Sequence, residues 1–300
     1  MTVTSFPRRL SQGLQAAALE AAFAGLRGLG PVRASDLGGR IARALGPRLP
    51  VSRVGDSNLR AALPALDAMA RRRIIRAVWD NLGRTVAELP HLGGLRRTAH
   101  GPGWELVGEE HLARVTPPLL FVSGHFANWE VMLPIASRYG LALPGFYRAA
   151  SNPLVDGVVD RMRRAALAPG VELFAKGPRG ARAALSHLQA GGSLGMLVDQ
   201  KMNDGIAVPF FGRPAMTAPA MAQLALRFGL PIIPAHILRL GPARFRMIVE
   251  APLSVPLTGE RHADIHAITL AMNATLERWI RAHPTSWLWL HRRWPKETRP

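Results

Sequence analysis

From residue 119 onward the chain alternates short apolar runs with amphipathic stretches, and this alternation constrains its fold more than any other feature. The runs at 119–122, 143–147, 171–174, 194–198, 232–238 and 244–249 have the length and composition of strands. Between them, segments near 129–139, 153–167, 179–189 and 218–228 carry helical periodicity. Strands alternating with helices build βαβ units, so the expected fold is α/β, with a mostly parallel central sheet flanked by helices. Ligands gather at the carboxyl ends of the strands in such sheets. Residues 1–100 instead read as mostly helical, with pieces at 14–30 and 37–45 and a long periodic run at 66–89. The expected division is an N-terminal helical region over 1–100 and a sheet-bearing domain over 101–300.

The hexapeptide His125-Phe126-Ala127-Asn128-Trp129-Glu130 follows directly on the first run and the turn residues Ser123-Gly124. Histidine takes a proton near neutral pH, and a carboxylate partner can hold its tautomer and stabilise the imidazolium that forms. Five positions along a helix turn through roughly 140°, so both side chains cannot share one helical face. His125 is therefore expected in the turn or at the helix start, with Glu130 about one turn inside. Read alone, the pair is either acid–base machinery or a capped helix start with a solvated Glu. The spacing lacks the second His that His-Glu-x-x-His zinc sites need.

Lys and Arg total 38 against 20 Asp and Glu, a formal net charge of +18, which points to anionic partners. The 48% hydrophobic content excludes a disordered chain. There is no cysteine, so thiolate nucleophiles, disulfides and Cys-ligated metals are excluded. Ser123-Gly124-His125 lacks the Gly-x-Ser-x-Gly form of a nucleophile elbow. The segment 14–30 is short for the roughly 20 apolar residues of a span and carries Glu20 and Arg27. Its stripe of Leu19, Phe23 and Leu26, preceded by Arg8 and Arg9, suits either a helix lying in an anionic leaflet or one docked on the domain. Arg71-Arg72-Arg73 is either a solvated face or a headgroup contact.

Three further blocks stand at predicted strand ends. In Tyr147-Arg148-Ala149-Ala150-Ser151-Asn152-Pro153, Arg148 can fork onto a phosphate or carboxylate, and Asn152 before Pro153 is a good helix N-cap. The basic cluster Arg161, Arg163 and Arg164 follows, as a solvated helix face or an anion site. Asp199-Gln200 ends the run at 194–198, with Asp199 as turn former or site residue. Phe210-Phe211 is core or the floor of an acyl-chain channel, and Met216 joins the pair as a candidate to stop the chain. The terminal Trp287-Leu288-Trp289-Leu290-His291-Arg292-Arg293-Trp294 interleaves aromatic and basic residues, as nucleic-acid stacking or a membrane interface would.

Taken in order, the 79–84 segment, GHFANWE, YRAASNP, DQKMNDGIAVPFFG, TAPAMAQLALRFGLPIIP and WLWLHRRW resemble the late acyltransferases of lipid A biosynthesis. The resemblance covers nearly the whole chain and implies a glycerol-phosphate acyltransferase-like fold with an N-terminal membrane-associating region and a catalytic domain over 101–300. It implies that His125 and Glu130 form the family's His-x4-acidic motif, with Glu130 assisting His125 as general base. Arg163 and Asp199 match functionally important positions, and Arg148, Asn152, Arg164 and Gln200 fall in substrate-binding blocks. The reaction implied moves a lauroyl-type chain from acyl carrier protein to a hydroxyl of the anionic, Kdo-bearing lipid A precursor. No metal or redox cofactor and no nucleic acid partner are expected. The expected location is the cytoplasmic face of the inner membrane, with membrane surface as a further partner.

Overall fold

The computed structural model describes residues 6–295, and the side chains of Arg8 and Arg9, expected above at a leaflet surface, lie outside the described ones. The N-terminal helices are α1 (Phe6–Leu45), α2 (Ser52–Ala62) and α3 (Ala68–Glu88). Then come β1 (Gly103–Val107), α4 (Glu109–Ala113), β2 (Leu120–Ser123), α5 (Met132–Arg138), β3 (Gly145–Tyr147), α6 (Pro153–Arg164) and β4 (Leu173–Ala175). The chain continues through α7 (Pro178–Gln189), β5 (Leu194–Leu197), the hairpin β6 (Lys201–Phe210) and β7 (Arg213–Thr217), and α8 (Ala220–Phe228). It ends in β8 (Ile232–Gly241), β9 (Arg244–Val249) and α9 (Arg261–Ala282).

All six strands expected from the apolar runs form, and they lie in one seven-stranded sheet of order β1-β9-β8-β2-β5-β3-β4. Every pairing in it is parallel except β8 with β9, so the mostly parallel α/β sheet flanked by helices is what the chain builds. β2 is buried at all four positions because helices cover both faces of the sheet. Side chains alternate between those faces. Leu120 and Val122 join one apolar cluster with α9 and the terminal tryptophans, while Leu119 and Phe121 join the other with α5 and Phe23.

Three strands, β1, β6 and β7, form outside the expected runs. β1 forms where the sequence has few cues, completed by pairing with β9. Residues 203–205, which carry a turn signal, lie inside β6. There the register jumps, so that Lys201 and Ile206 both oppose Thr217 and the residues between them bulge from the ladder.

The stripe of Leu19, Phe23 and Leu26 is turned inward. Phe23 is 2% exposed and all three pack on the same cluster as Trp104 and Val131, so of the two readings the docked helix is the one that forms. Among the described residues no helix is long and apolar enough to cross a membrane. The aromatic and basic C-terminal segment is likewise not a surface: Trp287, Trp289 and Arg293 are fully buried and Trp294 nearly so. Phe210 and Phe211 are core residues packed against those tryptophans.

α1 breaks at Gly30 (φ 74°) before Pro31, and its second half lies along α3 at backbone contact. A Cβ on Gly83 would stand 2.2 Å from the Gly38 carbonyl oxygen and 2.4 Å from Ala42 Cβ. Gly83→Ala is therefore expected to destabilise the fold by about 1–3 kcal/mol through forced separation of the helices. Gly25→Ala, in the first half of α1 with nothing within 4 Å of its added methyl, should be neutral or stabilising by up to about 1 kcal/mol. Urea denaturation of both variants measures this, and a Gly83→Ala midpoint equal to wild type would refute the close-packing account.

Candidate active site

The parallel pairing of β2 with β5 sets the site. Ser123 is opposite Leu197, and the Val198 amide donates to the Ser123 carbonyl at 2.9 Å. Carrying the register two residues further brings His125 opposite Asp199. The imidazole Nδ1 lies 2.8 Å from Asp199 Oδ1, and the His125 backbone N–H donates to Oδ2 at 2.7 Å. Trp287 Nε1–H gives Oδ2 a second bond at 2.7 Å. Gly124 is small because the carboxylate presses on it: an added Cβ would stand 3.1 Å from Asp199 Oδ2 and 3.0 Å from Leu276.

This arrangement decides protonation. Asp199 is fully buried, which by itself raises a carboxyl pKa, but His125 and the other donors outweigh burial and hold it well below its ordinary value. Burial by itself pushes the His125 pKa down; Asp199 beside it, with Glu130 adding at longer range, keeps it above the ordinary 6.5. With Nδ1–H donating to the carboxylate, the neutral imidazole presents the Nε2 lone pair for proton abstraction. Gln200 Nε2 stands 3.4 Å from that nitrogen. The ring is packed by Trp129, with centroids 5.0 Å apart, and by His291 at 5.8 Å. Burial lowers the His291 pKa, and its Nε2 lies 3.3 Å from the Asp199 carbonyl oxygen.

His125 lies in the turn, but the short 3-10 helix starts only at Trp129, so Glu130 is its second residue rather than one turn inside. Its carboxylate does not orient the imidazole. That hydrogen bond is made by Asp199, because the strand register delivers Asp199 to Nδ1 while Glu130 is taken up by Arg163. Arg163 Nε and Nη2 donate to the two Glu130 oxygens at 2.8 and 2.5 Å. This bidentate pair, 22% and 14% exposed on its two side chains, stands beside a cavity of about 280 Å³ that opens at His125. The volume is close to the lower end of ligand pockets, about 300–1,000 Å³. Leu133, Leu143, Leu167 and Met196 line its apolar walls, and His125, Glu130, Arg148 and Arg163 supply its polar groups. Phe210, Phe211 and Met216 do not line it.

The structure thus gathers His125, Glu130, Arg148, Arg163, Asp199 and Gln200 at one place. It leaves out the other two expected residues. Asn152 Oδ1 caps α6 through the Leu154 amide at 3.0 Å, while its Nδ2 donates to Gln12 O and Gln15 Oε1 on α1, so both ends of the side chain are engaged. Arg164 is half-exposed, pairs with Asp160 one turn back, and does not line the cavity. Trp287 and His291 were missed as site residues, since a strip of alternating Trp and Arg carries no signal for a contact with a carboxylate about 90 residues earlier. The first backbone N–H groups after Gly124 are also committed: His125 to Asp199, Phe126 to Gly124 and Ala127 to Ser286.

A buried histidine–carboxylate pair at the strand ends, beside an apolar cavity lined by two arginines, has the chemistry to move a proton next to an apolar group. The family model of the bacterial lipid A biosynthesis acyltransferases matches residues 9–296, and the chain belongs to that family. It is an acyltransferase with a role in lipid A synthesis. No curated protein matches it significantly.

A base must be neutral to act, so with His125 in that role activity should be lost as the pH falls through its raised pKa, and the acid limb of kcat/KM for acyl transfer should lie above pH 6.5. Asp199→Asn leaves burial dominant, which should move that limb down and lower the rate about 10²–10⁴-fold. An acid limb in the same place in wild type and Asp199→Asn would show that the pair does not control the titration.

Proposed function

We propose that the protein transfers a lauroyl-type acyl chain from acyl carrier protein to a hydroxyl of the Kdo-bearing lipid A precursor, with His125 as general base. The observation that carries this reading is the His125–Asp199 pair opening on an apolar cavity. Nε2 takes the acceptor hydroxyl proton as the oxygen attacks the thioester carbonyl; the tetrahedral intermediate then expels the carrier thiolate, which recovers the proton from the imidazolium. Asp199 holds the tautomer and stabilises the imidazolium; Glu130 adds negative charge at longer range and anchors Arg163.

The developing oxyanion needs donors. Because the backbone N–H groups of residues 125–127 are committed elsewhere, we assign the task to Arg163, which has five N–H donors and uses only Nε and Nη2 on Glu130. Arg148, exposed at the cavity rim with no ion-pair partner among the described residues, is placed to hold anionic substrate. Gln200 is the polar group nearest Nε2 and is assigned to acceptor orientation.

Membrane docking is assigned to the second half of α1. Leu37, Ile41 and Leu45, four residues apart and so on one helical face, are each more than 40% exposed. Beside them Arg40, Arg43, Arg48 and Arg76 line a shallow cleft, and none has a carboxylate partner among the described residues. An apolar row flanked by arginines suits the interface of an anionic leaflet. An acyl carrier protein donor places that leaflet on the cytoplasmic side of the inner membrane.

The deciding experiment is transfer from labelled acyl carrier protein to tetraacylated, Kdo-bearing precursor, with His125→Ala as control. Wild type should form product, and the variant should be slower by about 10²–10⁴-fold. Product formed only with a glycerol-phosphate or mannoside lipid would reassign the acceptor, and full activity of His125→Ala would end the mechanism. On anionic vesicles Ile41→Asp combined with Arg43→Glu should lose binding while keeping activity in detergent. Retained vesicle binding would remove the docking assignment.

A further inference from the structure

A second carboxylate is buried close to the catalytic turn and has no part in the chemistry above. Glu88 ends α3 at 0% exposure. Its oxygens accept from Ser35 Oγ at 2.6 Å, Asn128 Nδ2 at 2.8 Å, the Ala243 amide at 3.1 Å and the Arg239 guanidinium, with Nη2 at 3.0 Å. Asn128, also fully buried, lies between His125 and Glu130 in sequence and turns its Oδ1 to the Glu130 backbone N–H at 3.1 Å. Arg239, Glu88, Asn128, Glu130 and Arg163 are thereby joined in series by hydrogen bonds that end at the cavity.

The same elements hold the residue before Asn128. Ala127 has φ of 44°, a conformation L residues other than glycine and asparagine seldom adopt. Its carbonyl accepts from Asn81 Nδ2 at 3.0 Å and Thr85 Oγ1 at 3.2 Å, and its N–H donates to Ser286 O at 2.8 Å. Asn81 in turn accepts from Arg239 Nε at 2.8 Å. Strained backbone of this kind persists only where surrounding bonds over-determine it, and it concentrates at functional sites.

Glu88 ties α3 to Ser35, Arg239 and Ala243, but those bonds alone do not call for a carboxylate at this position. It sits at a helix C-terminus, where the macrodipole disfavours negative charge, and a buried ion pair is often replaceable by apolar side chains without loss. We propose that Glu88 is a positioning residue for acyl transfer: through Asn128 it sets where the Glu130 carboxylate stands, and so where Arg163 stands relative to His125. The consequence for the rate rests on the acyl-transfer reading above, whereas the consequence for Arg163 does not.

The test reverses the polarity of one hydrogen bond. Asn128→Asp faces Glu88 with a second carboxylate; adding Glu88→Gln restores the bond with the amide now on residue 88 and leaves the net charge of the wild type. Asn128→Asp should lower kcat about 10–100-fold, with KM for the acyl donor changed by less than about twofold. The double variant should recover kcat to within a few-fold. In parallel, the Nε–H nitrogen resonance of Arg163, assigned by its loss in Arg163→Lys, should shift in Asn128→Asp and return in the double variant, whichever acceptor the enzyme uses. If Asn128→Asp does not fold, Asn128→Ser, too short to reach Glu88, takes its place, with the same expected fall in kcat and shift of the Arg163 resonance and no recovery on adding Glu88→Gln. Unchanged kcat in the single variant, an unmoved Arg163 resonance, or a double variant with Asn128→Asp no better than that single variant would each overturn the proposal.

Discussion

The buried Asp199 carboxylate is the interaction on which the site depends. Taking an ion out of water is costly unless charge and hydrogen bonds replace the lost solvation, and here three donors converge on it: the His125 ring, the His125 amide and the Trp287 indole. Each donor comes with a structural demand. The first two require β2 and β5 to be parallel neighbours in the observed register, with a glycine at 124 to let the carboxylate approach. The third requires the C-terminal segment to run antiparallel beside residues 125–127, where Leu288 N–H also bonds the His125 carbonyl and Ser286 takes the Ala127 amide.

The positive charge of the chain is divided by environment. Arg293 is fully buried over the Phe210 ring, donates to Met216 O, Thr217 Oγ1 and Asn273 Oδ1, and has its pKa pushed down to about 10 by burial, with Asp199 partly opposing. It stays protonated at neutral pH and braces the hairpin of β6 and β7 against the terminal segment. Arg239 and Arg163 are half-buried partners of Glu88 and Glu130. Arg71 and Arg84 on α3 pair with Asp56 and with Asp36 and Asp80, whereas Arg40, Arg43, Arg48 and Arg76 have no carboxylate partner among the described residues and are exposed. A single net-charge figure therefore mixes structural, cavity-lining and surface cations, and the structural ones do not bear on external partners.

Much of the scaffold was legible in the chain. The uninterrupted run at 119–122 can be buried only if both sheet faces are covered, and its alternation with helical segments required parallel crossovers. Asn152 before Pro153 signalled the start of α6, and His125 fell where a strand ends. Elements whose stability comes from distant partners were not legible. β1 is completed by β9, roughly 140 residues later in the chain, and β6 from Ile206 onward is completed by β7, with the turn signal at 203–205 taken up as a bulge. Local propensity has no access to either partner.

The sequence by itself determined the order of the six apolar runs that became strands, the helical stretches between them and the placing of His125 beyond a strand end, because these follow from local periodicity and spacing. Only the tertiary structure decided which carboxylate binds the imidazole. Asp199 is 74 positions away and reaches Nδ1 through strand register, whereas Glu130, five positions away, is held by Arg163 on α6. It also decided that the tryptophans of the C-terminus are core and the stripe of α1 faces inward, since amphipathic and aromatic patterns specify a face but not what covers it.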